Sequence, residues 1–205
     1  MKYLFIDTSS SFLNIALISD SNILFKHIEE TKNDMSSKIV DVIDKKLKEL
    51  NISINEINKI FVVNGPGSFT GVRIGVTVAK VIAWALKIQV VPVSSLEFLA
   101  STSTNKKYIV PMIDARRGNV FSAIYDSNLN NILNDQMISL EEIKKHLTVD
   151  HEIISYDNIE SSIKPEPDVI KIIEKYKDSK GINPHKLVPN YLKLTEAEEN
   201  LNRND

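Results

Sequence analysis

Apolar and polar positions along this chain follow two periods, one of strand length and one helical. Short apolar runs at Tyr3-Leu4-Phe5-Ile6, Ile60-Phe61-Val62-Val63 and Val110-Pro111-Met112-Ile113 each end on a polar or glycine-containing turn, as strands do. Further strands are predicted over 12–19, 89–93, 120–125 and 153–156, and Ile23-Leu24 and Ile132-Leu133 each open another. Helical spacing links Met35, Ile39, Val42, Ile43, Leu47 and Leu50, with Asp41, Asp44, Lys45, Lys48 and Glu49 on the opposite face. Asp34 stands where it can cap that helix, and Ser53 with Glu56 forms a capping-box pattern ahead of a strand at 59–64. A helix from Ser95, one from Ser139 and Glu142 to about Leu147, and one from Pro167 that stops before Gly181 complete the pattern. Residues 183–205 are mostly charged and polar. Within them Tyr191-Leu192-Lys193-Leu194 has enough apolar character to dock, and the end is expected to fray.

The run VNGPGSFTGVRIGVTVAKVIAW, from Val63 to Trp84, reads as a strand end, a glycine turn and a long apolar helix. Gly65 and Gly67 break the strand, Ser68 or Thr70 can cap the helix, and Gly71 follows in its first turn. Such a helix start is a place for anions or for a closely approaching backbone. The phosphate-loop pattern fails, because Val72 follows Gly71 and no lysine comes next; the dinucleotide glycine pattern misses by one residue. Arg73, Thr77, Lys80 and Lys87 draw one narrow polar stripe that also takes in Trp84. Gly71, Gly75, Ala79 and Ala83 draw a strip of small side chains, and Val72, Ile74, Val76, Val78, Val81, Ile82 and Leu86 fill the rest. A helix apolar nearly all round is buried on more than one side. It is therefore either an internal core helix, or one packed on its own sheet with a partner covering the other side. Arg73 and Lys80 interrupt it too often for a membrane span.

Two stretches repeat each other. Asp7 ends an apolar run, a polar turn follows, then a strand from Phe12 and the turn Asp20-Ser21-Asn22. Asp114 ends another run, followed by Ala115 to Gly118, a strand from Val120 and Asp126-Ser127-Asn128. Matching openings of two halves predict two similar domains; chance likeness of two hairpins is the competing explanation.

Composition narrows the chemistry. The chain has 205 residues, room for one large or two small domains, and no cysteine, which excludes disulfides and thiolate ligands. Four apolar residues precede the charge of Asp7, too few for a signal-peptide core. The histidines, at 27, 146, 151 and 185, show no ligand spacing. A net charge of −2 gives no whole-molecule attraction to nucleic acid.

The block NGPGSFTGVRIGVTVAK, together with FIDTSSSFLNIAL, PVSSLEFLA, PMIDARRGNVFSAIYD and PNYLKL, resembles the TsaB family. That family is the dimerisation subunit of the bacterial machinery that makes threonylcarbamoyladenosine in tRNA. The blocks occur in the family's order over most of the chain, whereas residues 128–180 match nothing distinctive and form a short segment. The resemblance implies an α/β fold of two similar actin-like ATPase (ribonuclease-H-like) domains related by duplication, the second reduced. The expected boundaries are 1–104 and 105–183, with 184–205 packing back on the first domain.

In that architecture a hairpin turn from each domain faces nucleotide phosphates across a cleft. The resemblance places Asp7, Thr8, Ser9 and Ser10 at one turn and Asp114, Arg116, Arg117 and Gly118 at the other. Ser9 stands where nucleotide-binding relatives carry glycine, and Arg117 is bulky where a phosphate would lie, so the turns are expected to be vestigial. No cofactor is expected on this chain, and ATP at most weakly or at an interface of the complex. The catalytic paralogue, TsaD, carries two metal-binding histidines in an H-x-x-x-H spacing after a Pro-Val pair. Here Pro92-Val93 is followed by Ser95 and Leu99 at those positions, neither of which replaces imidazole.

The implied role is a non-catalytic, cytoplasmic scaffold, with no membrane partner. Its expected partners are a TsaD-like catalytic paralogue, a TsaE-like ATPase in the assembled complex, a second copy of the chain when isolated, and tRNA only through the complex. The expected interface combines Met35, Ile39, Val42, Ile43 and Leu47 with Val72, Arg73, Gly75, Val76, Ala79, Lys80 and Ala83. The alternative is an ATPase or metallopeptidase-like enzyme acting alone through the interdomain cleft.

Overall fold

The computed structural model describes residues 1–31, 34–147 and 149–192. Each half opens on two hairpin strands and a third antiparallel strand: β1 (Lys2–Asp7), β2 (Phe12–Ser19) and β3 (Asn22–Glu30) in the first, β6 (Tyr108–Arg116), β7 (Asn119–Asp126) and β8 (Asn131–Ser139) in the second. Two parallel strands then extend each sheet: β4 (Ile57–Val63) and β5 (Gln89–Val93) beside β1, β9 (His151–Ile154) and β10 (Ser162–Ile163) beside β6. The orders are β3-β2-β1-β4-β5 and, in the same sense, β8-β7-β6-β9-β10. The fold is α/β, with two halves of the same strand order, the repeat that the sequence predicted.

The helices follow the same plan. α1 (Met35–Glu49) lies between β3 and β4, and the shorter α4 (Leu140–Lys145) lies between β8 and β9. α3 (Ser95–Ala100) follows β5, and α5 (Val169–Tyr176) follows β10. The halves differ between their parallel strands. The first inserts α2 (Phe69–Leu86), capped by Ser68, whose Oγ accepts from Gly71 N at 3.2 Å; the second has only a turn there. That is the sense in which the second half is reduced.

Alternation along the strands divides the core. One face of the first sheet (Tyr3, Phe5, Ala16, Phe61, Val63) and one face of the second (Ile109, Ala123, Tyr125, Ile154) sandwich α3 and α5 in a shared cluster. The other face of the first sheet (Leu4, Ile6, Leu13, Ile15, Ile60, Val62) packs on α1 and α2, and that of the second sheet on α4. Phe5 and Phe61 are fully buried, and each such side chain contributes about 1.5–3 kcal/mol of transfer free energy.

Two expectations for the termini of elements change. Asp34 precedes α1 without a side-chain capping bond; its carboxylate pairs with Lys38 one turn on, at 2.8 Å. The strand at 153–156 ends at Ile154, and Ser155 Oγ then donates to Met112 O. After α5 the chain returns to the first half. Ile182 exchanges backbone bonds with Val90, Leu187 is buried beside α2, and Asn190 N donates to Asn64 O at 2.7 Å. Lys193, Leu194 and the terminus expected to fray lie outside the described residues.

Candidate functional site

β1 and β6 run into the same local turn. Asp7 Oδ1 accepts from Ser9 N at 2.8 Å, and Asp114 Oδ1 accepts from Arg116 N at 2.8 Å. Aspartate stabilises such turns by binding the backbone two residues on. The turns then diverge. Arg116, Arg117 and Gly118 all take positive φ, at 66°, 55° and 75°, and expose the tip. The first turn is covered by the start of α2: Ser68 N donates to Ser9 O at 2.7 Å and Thr8 Oγ1 donates to Gly71 O at 2.7 Å.

That contact explains the glycine block. A Cβ on Gly67 would lie 2.3 Å from Ser9 O, one on Gly71 2.1 Å from Thr8 O, and one on Gly75 2.3 Å from Thr8 Oγ1. A Cβ on Gly65 would meet Asn190 O at 2.8 Å. The strip of small residues therefore faces this chain's own hairpin turn and sheet.

Between the two turns lies a cleft of about 900 Å³. Asp7, Ser9 and Ser10 line it from one half, Asp114 and Arg116 from the other, with Ser68, Thr70 and Gly71 at the start of α2. Ser95 and Leu99 of α3 line it as well. Asp7 is 6% exposed, and burial pushes its carboxyl up to about 6 against the lowering effect of its bonds from Ser9. Tyr156 reaches across from the second half, its ring 5.1 Å from that of Phe12; burial and then the Asp7 charge push its phenol up to about 12. A carboxyl poised near neutrality can give or take a proton. Three backbone amides at the turns are engaged: Ser9 and Arg116 by the aspartates, Phe12 by Ser10 Oγ at 3.2 Å. Among the described residues the buried Ser95 hydroxyl has no hydrogen-bond partner.

A second surface lies on the outer side of α2. Contrary to the expectation from sequence, Arg73 and Lys80 do not exclude a membrane span: this helix is long and apolar enough to cross a membrane by length and composition, and a third of it is buried in the fold. Phe69, Val81 and Trp84 are 51%, 58% and 62% exposed with the polar Arg73, Thr77 and Lys80 among them, and Ile74, Val78 and Ile82 are half-buried along one edge of that face. The Arg73 guanidinium sits 3.6 Å over the Phe69 ring, and its Nε donates to Tyr191 Oη at 2.7 Å. Lys80 Nζ donates to Leu187 O at 3.3 Å. Val40 of α1 is exposed as well.

The interface residues expected from sequence thus separate into two sets. Met35, Ile39, Ile43 and Leu47 are buried against the first sheet, as are Val72, Gly75, Val76, Ala79 and Ala83. They serve this chain's own core. The physical reason is that the sheet needs an apolar cover, and the most regular apolar face supplies it. Val42 and Lys80 are half-buried and Arg73 is exposed, so these three border the outer surface. Val40 and Val81 are exposed members of the two helices expected at the interface, and Phe69 stands just before the expected stretch of α2; Trp84, an indole set on a polar stripe, was the sequence signal for an exposed apolar residue there.

Residues 25–193 match the family described as TsaD, tRNA N6-adenosine threonylcarbamoyltransferase. The chain is 32% identical over 223 aligned positions to the tRNA threonylcarbamoyladenosine biosynthesis protein TsaB of Bacillus subtilis (strain 168), covering 97% of this chain and 96% of that one. With the protein of the same description from Escherichia coli (strain K12) it shares 32% identity over 135 positions, 64% of this chain and 58% of that one. Among solved structures, YeaZ from Pseudomonas aeruginosa superposes with a TM-score of 0.77 at 21% identity, covering 93% of this chain and 99% of that one. That likeness establishes the shared fold.

Proposed function

Because this chain belongs to the TsaB family, we propose that it acts in the biosynthesis of threonylcarbamoyladenosine in tRNA as a non-catalytic scaffold. The observation that carries the scaffold role is the outer face of α2, where Phe69, Val81 and Trp84 stand in solvent on a helix of core-like composition. Exposed aromatic and aliphatic side chains concentrated on one helix mark a candidate interaction site, and aromatic residues and arginine are the residue types that dominate binding energy. The partner is a TsaD-like catalytic paralogue, which presents a matching helical face; a second copy of the chain takes that place when the paralogue is absent. A TsaE-like ATPase joins the assembled complex, in the cytoplasm.

The reaction's chemistry belongs to the paralogue. Ser95 and Leu99 line the cleft, and neither side chain binds a transition metal. The amides of Ser9 and Arg116 are committed to the aspartates of their own turns, which weakens the hold on a phosphate there, so any ATP on this chain is weakly held. Transfer RNA is bound through the complex, since Arg73 and Lys80 are engaged within the chain and the net charge is −2. Mixing the chain with its purified paralogue tests the reading: a stable complex with the parent chain and at least a tenfold loss of affinity with Trp84→Asp are expected. Unchanged affinity would remove α2 from the interface.

One observation favours a second reading. Asp7 is a buried carboxyl pushed up to about 6 at the base of a cleft, as a general acid or base requires. An enzyme acting alone would hydrolyse ATP or a peptide without the paralogue and lose that activity in Asp7→Ala.

A further inference from the structure

The two halves are joined between α3 and α5 by a polar cluster in which Glu97 is buried, Tyr176 half-buried and Lys175 reaches in from the surface. Glu97, on α3, is 5% exposed and accepts from Lys175 Nζ at 2.5 Å and from Tyr176 Oη at 2.8 and 3.0 Å, both on α5. Lys175 Nζ also donates to Leu129 O at 2.6 Å, in the turn between β7 and β8. The start of α3 is held separately: Ser94 Oγ donates to Asp135 of β8, whose other oxygen accepts from Tyr125 Oη at 2.7 Å. α3 belongs to the first half by sequence and carries Ser95 and Leu99 into the cleft. Its residues Ser94 and Glu97 are both tied to the second half.

We propose that the Glu97–Lys175–Tyr176 cluster is a lock that fixes the angle between the halves and holds the cleft at a single opening. Hinging would separate α3 from α5 and strand a carboxylate in an apolar layer, where an unpaired charge is far costlier than at the surface. Chain ends of buried polar networks have one satisfied arrangement, and a half-satisfied network is unfavourable. Domain closure around a ligand needs a hinge that absorbs backbone rotation and an interface that can slide. Here the interface is pinned at both ends and the middle of one short helix, through Ser94, Glu97 and Ser101, whose Oγ accepts from Asp168 N at 2.8 Å. The two halves move as one body, and whatever binds the outer face of α2 meets a single surface.

The chain has no cysteine, so paired labels can be placed without background. Lys45→Cys on α1 and Glu141→Cys on α4 put spin labels on exposed, equivalent helices of the two halves. Pulsed dipolar spectroscopy of the full chain should give one narrow distance distribution. Glu97→Ala should at least double its width or add a second distance, and Glu97→Gln, which still accepts from Tyr176, should widen it less. If Glu97→Ala fails to fold, the double change Glu97→Gln with Lys175→Met removes both charges together and should still widen the distribution. A broad distribution in the parent overturns the lock. So does a folded variant that melts at lower temperature with the parental width, because the cluster would then stabilise the fold without setting the angle.

Discussion

The hydroxyl of Thr8 donates to the carbonyl oxygen of Gly71 at 2.7 Å, across 63 residues of sequence. It ties the first hairpin turn to the first turn of α2 and leaves no space for a side chain at Gly71 or Gly75. The most distinctive block of the sequence is thereby accounted for by packing. Its glycines let one backbone lie on another, at the position where the sequence alone would equally admit an anion.

Gly71→Ala sets two effects against each other. Gly71 has ordinary helical geometry, and alanine in a helix is favoured over glycine by about 1 kcal/mol. The new Cβ would stand 2.1 Å from Thr8 O, a backbone atom that cannot step aside. The overlap wins, and a loss of several kcal/mol is expected in urea unfolding. Gly118→Ala is the control: nothing lies within 4 Å, and its φ of 75° alone should cost about 1–2 kcal/mol.

Acidic substitutions on the two faces of the α1–α2 layer should separate core from interface. Ile43→Asp and Val76→Asp place a charge at buried positions in the first half's core and should cost more than about 4 kcal/mol or abolish folding. Val81→Asp, on the exposed side, should change stability by less than about 0.5 kcal/mol and weaken paralogue binding at least tenfold. Thermal melting and a binding titration on the same samples give both quantities. Ile43→Asp that folds normally, with lost binding, would restore the inner face as the interface.

Much of this architecture was legible in the sequence because it is local. Apolar runs closed by turns gave the two hairpins, and β2, β5 and the start of α3 fall where the pattern puts them. The repeat centred on Asp7 and Asp114 proved to be a repeat of sheet order and of one aspartate turn. The inner side of α2 was not legible. A strip of small residues and an apolar arc look alike from either side, and only the distant Thr8 turn decides which is buried. The Glu97–Lys175 pair joins residues 78 apart, and no spacing rule connects them. The two-residue strand β10 was too short to leave a pattern.

Asp7 should leave a signature in the pH dependence of stability. Its carboxyl is raised from 3.8 to about 6 by burial. Between those values the folded state holds a proton that the unfolded state releases, so this group's stabilising contribution is full below about pH 4 and is lost as pH rises through about 6. Asp7→Asn keeps an oxygen to accept from Ser9 N and removes the titration. The variant should gain stability over the parent as pH rises from 4 to 7.5, by up to about 3 kcal/mol. Urea unfolding at both pH values measures the gain, and a parent–variant difference independent of pH would contradict the buried carboxyl.

Ser95 and Asp7 give the sharpest test of a scaffold without chemistry of its own. Both line the cleft. The Ser95 hydroxyl is buried and, among the described residues, unpartnered, so Ser95→Ala removes an unsatisfied polar group and should be neutral or slightly stabilising. In a reconstituted modification reaction at saturating subunit, Ser95→Ala and Asp7→Asn should keep turnover within about threefold of the parent, a change of less than about 1 kcal/mol in barrier. Omission of the subunit should abolish turnover, because the paralogue then loses the contact that holds its own domains in a competent arrangement. Trp84→Asp should lower turnover at limiting subunit and recover it as concentration rises, since the defect lies in assembly. A hundredfold loss in Asp7→Asn with the complex intact would place a proton transfer of the reaction in this cleft, and the scaffold reading would fall.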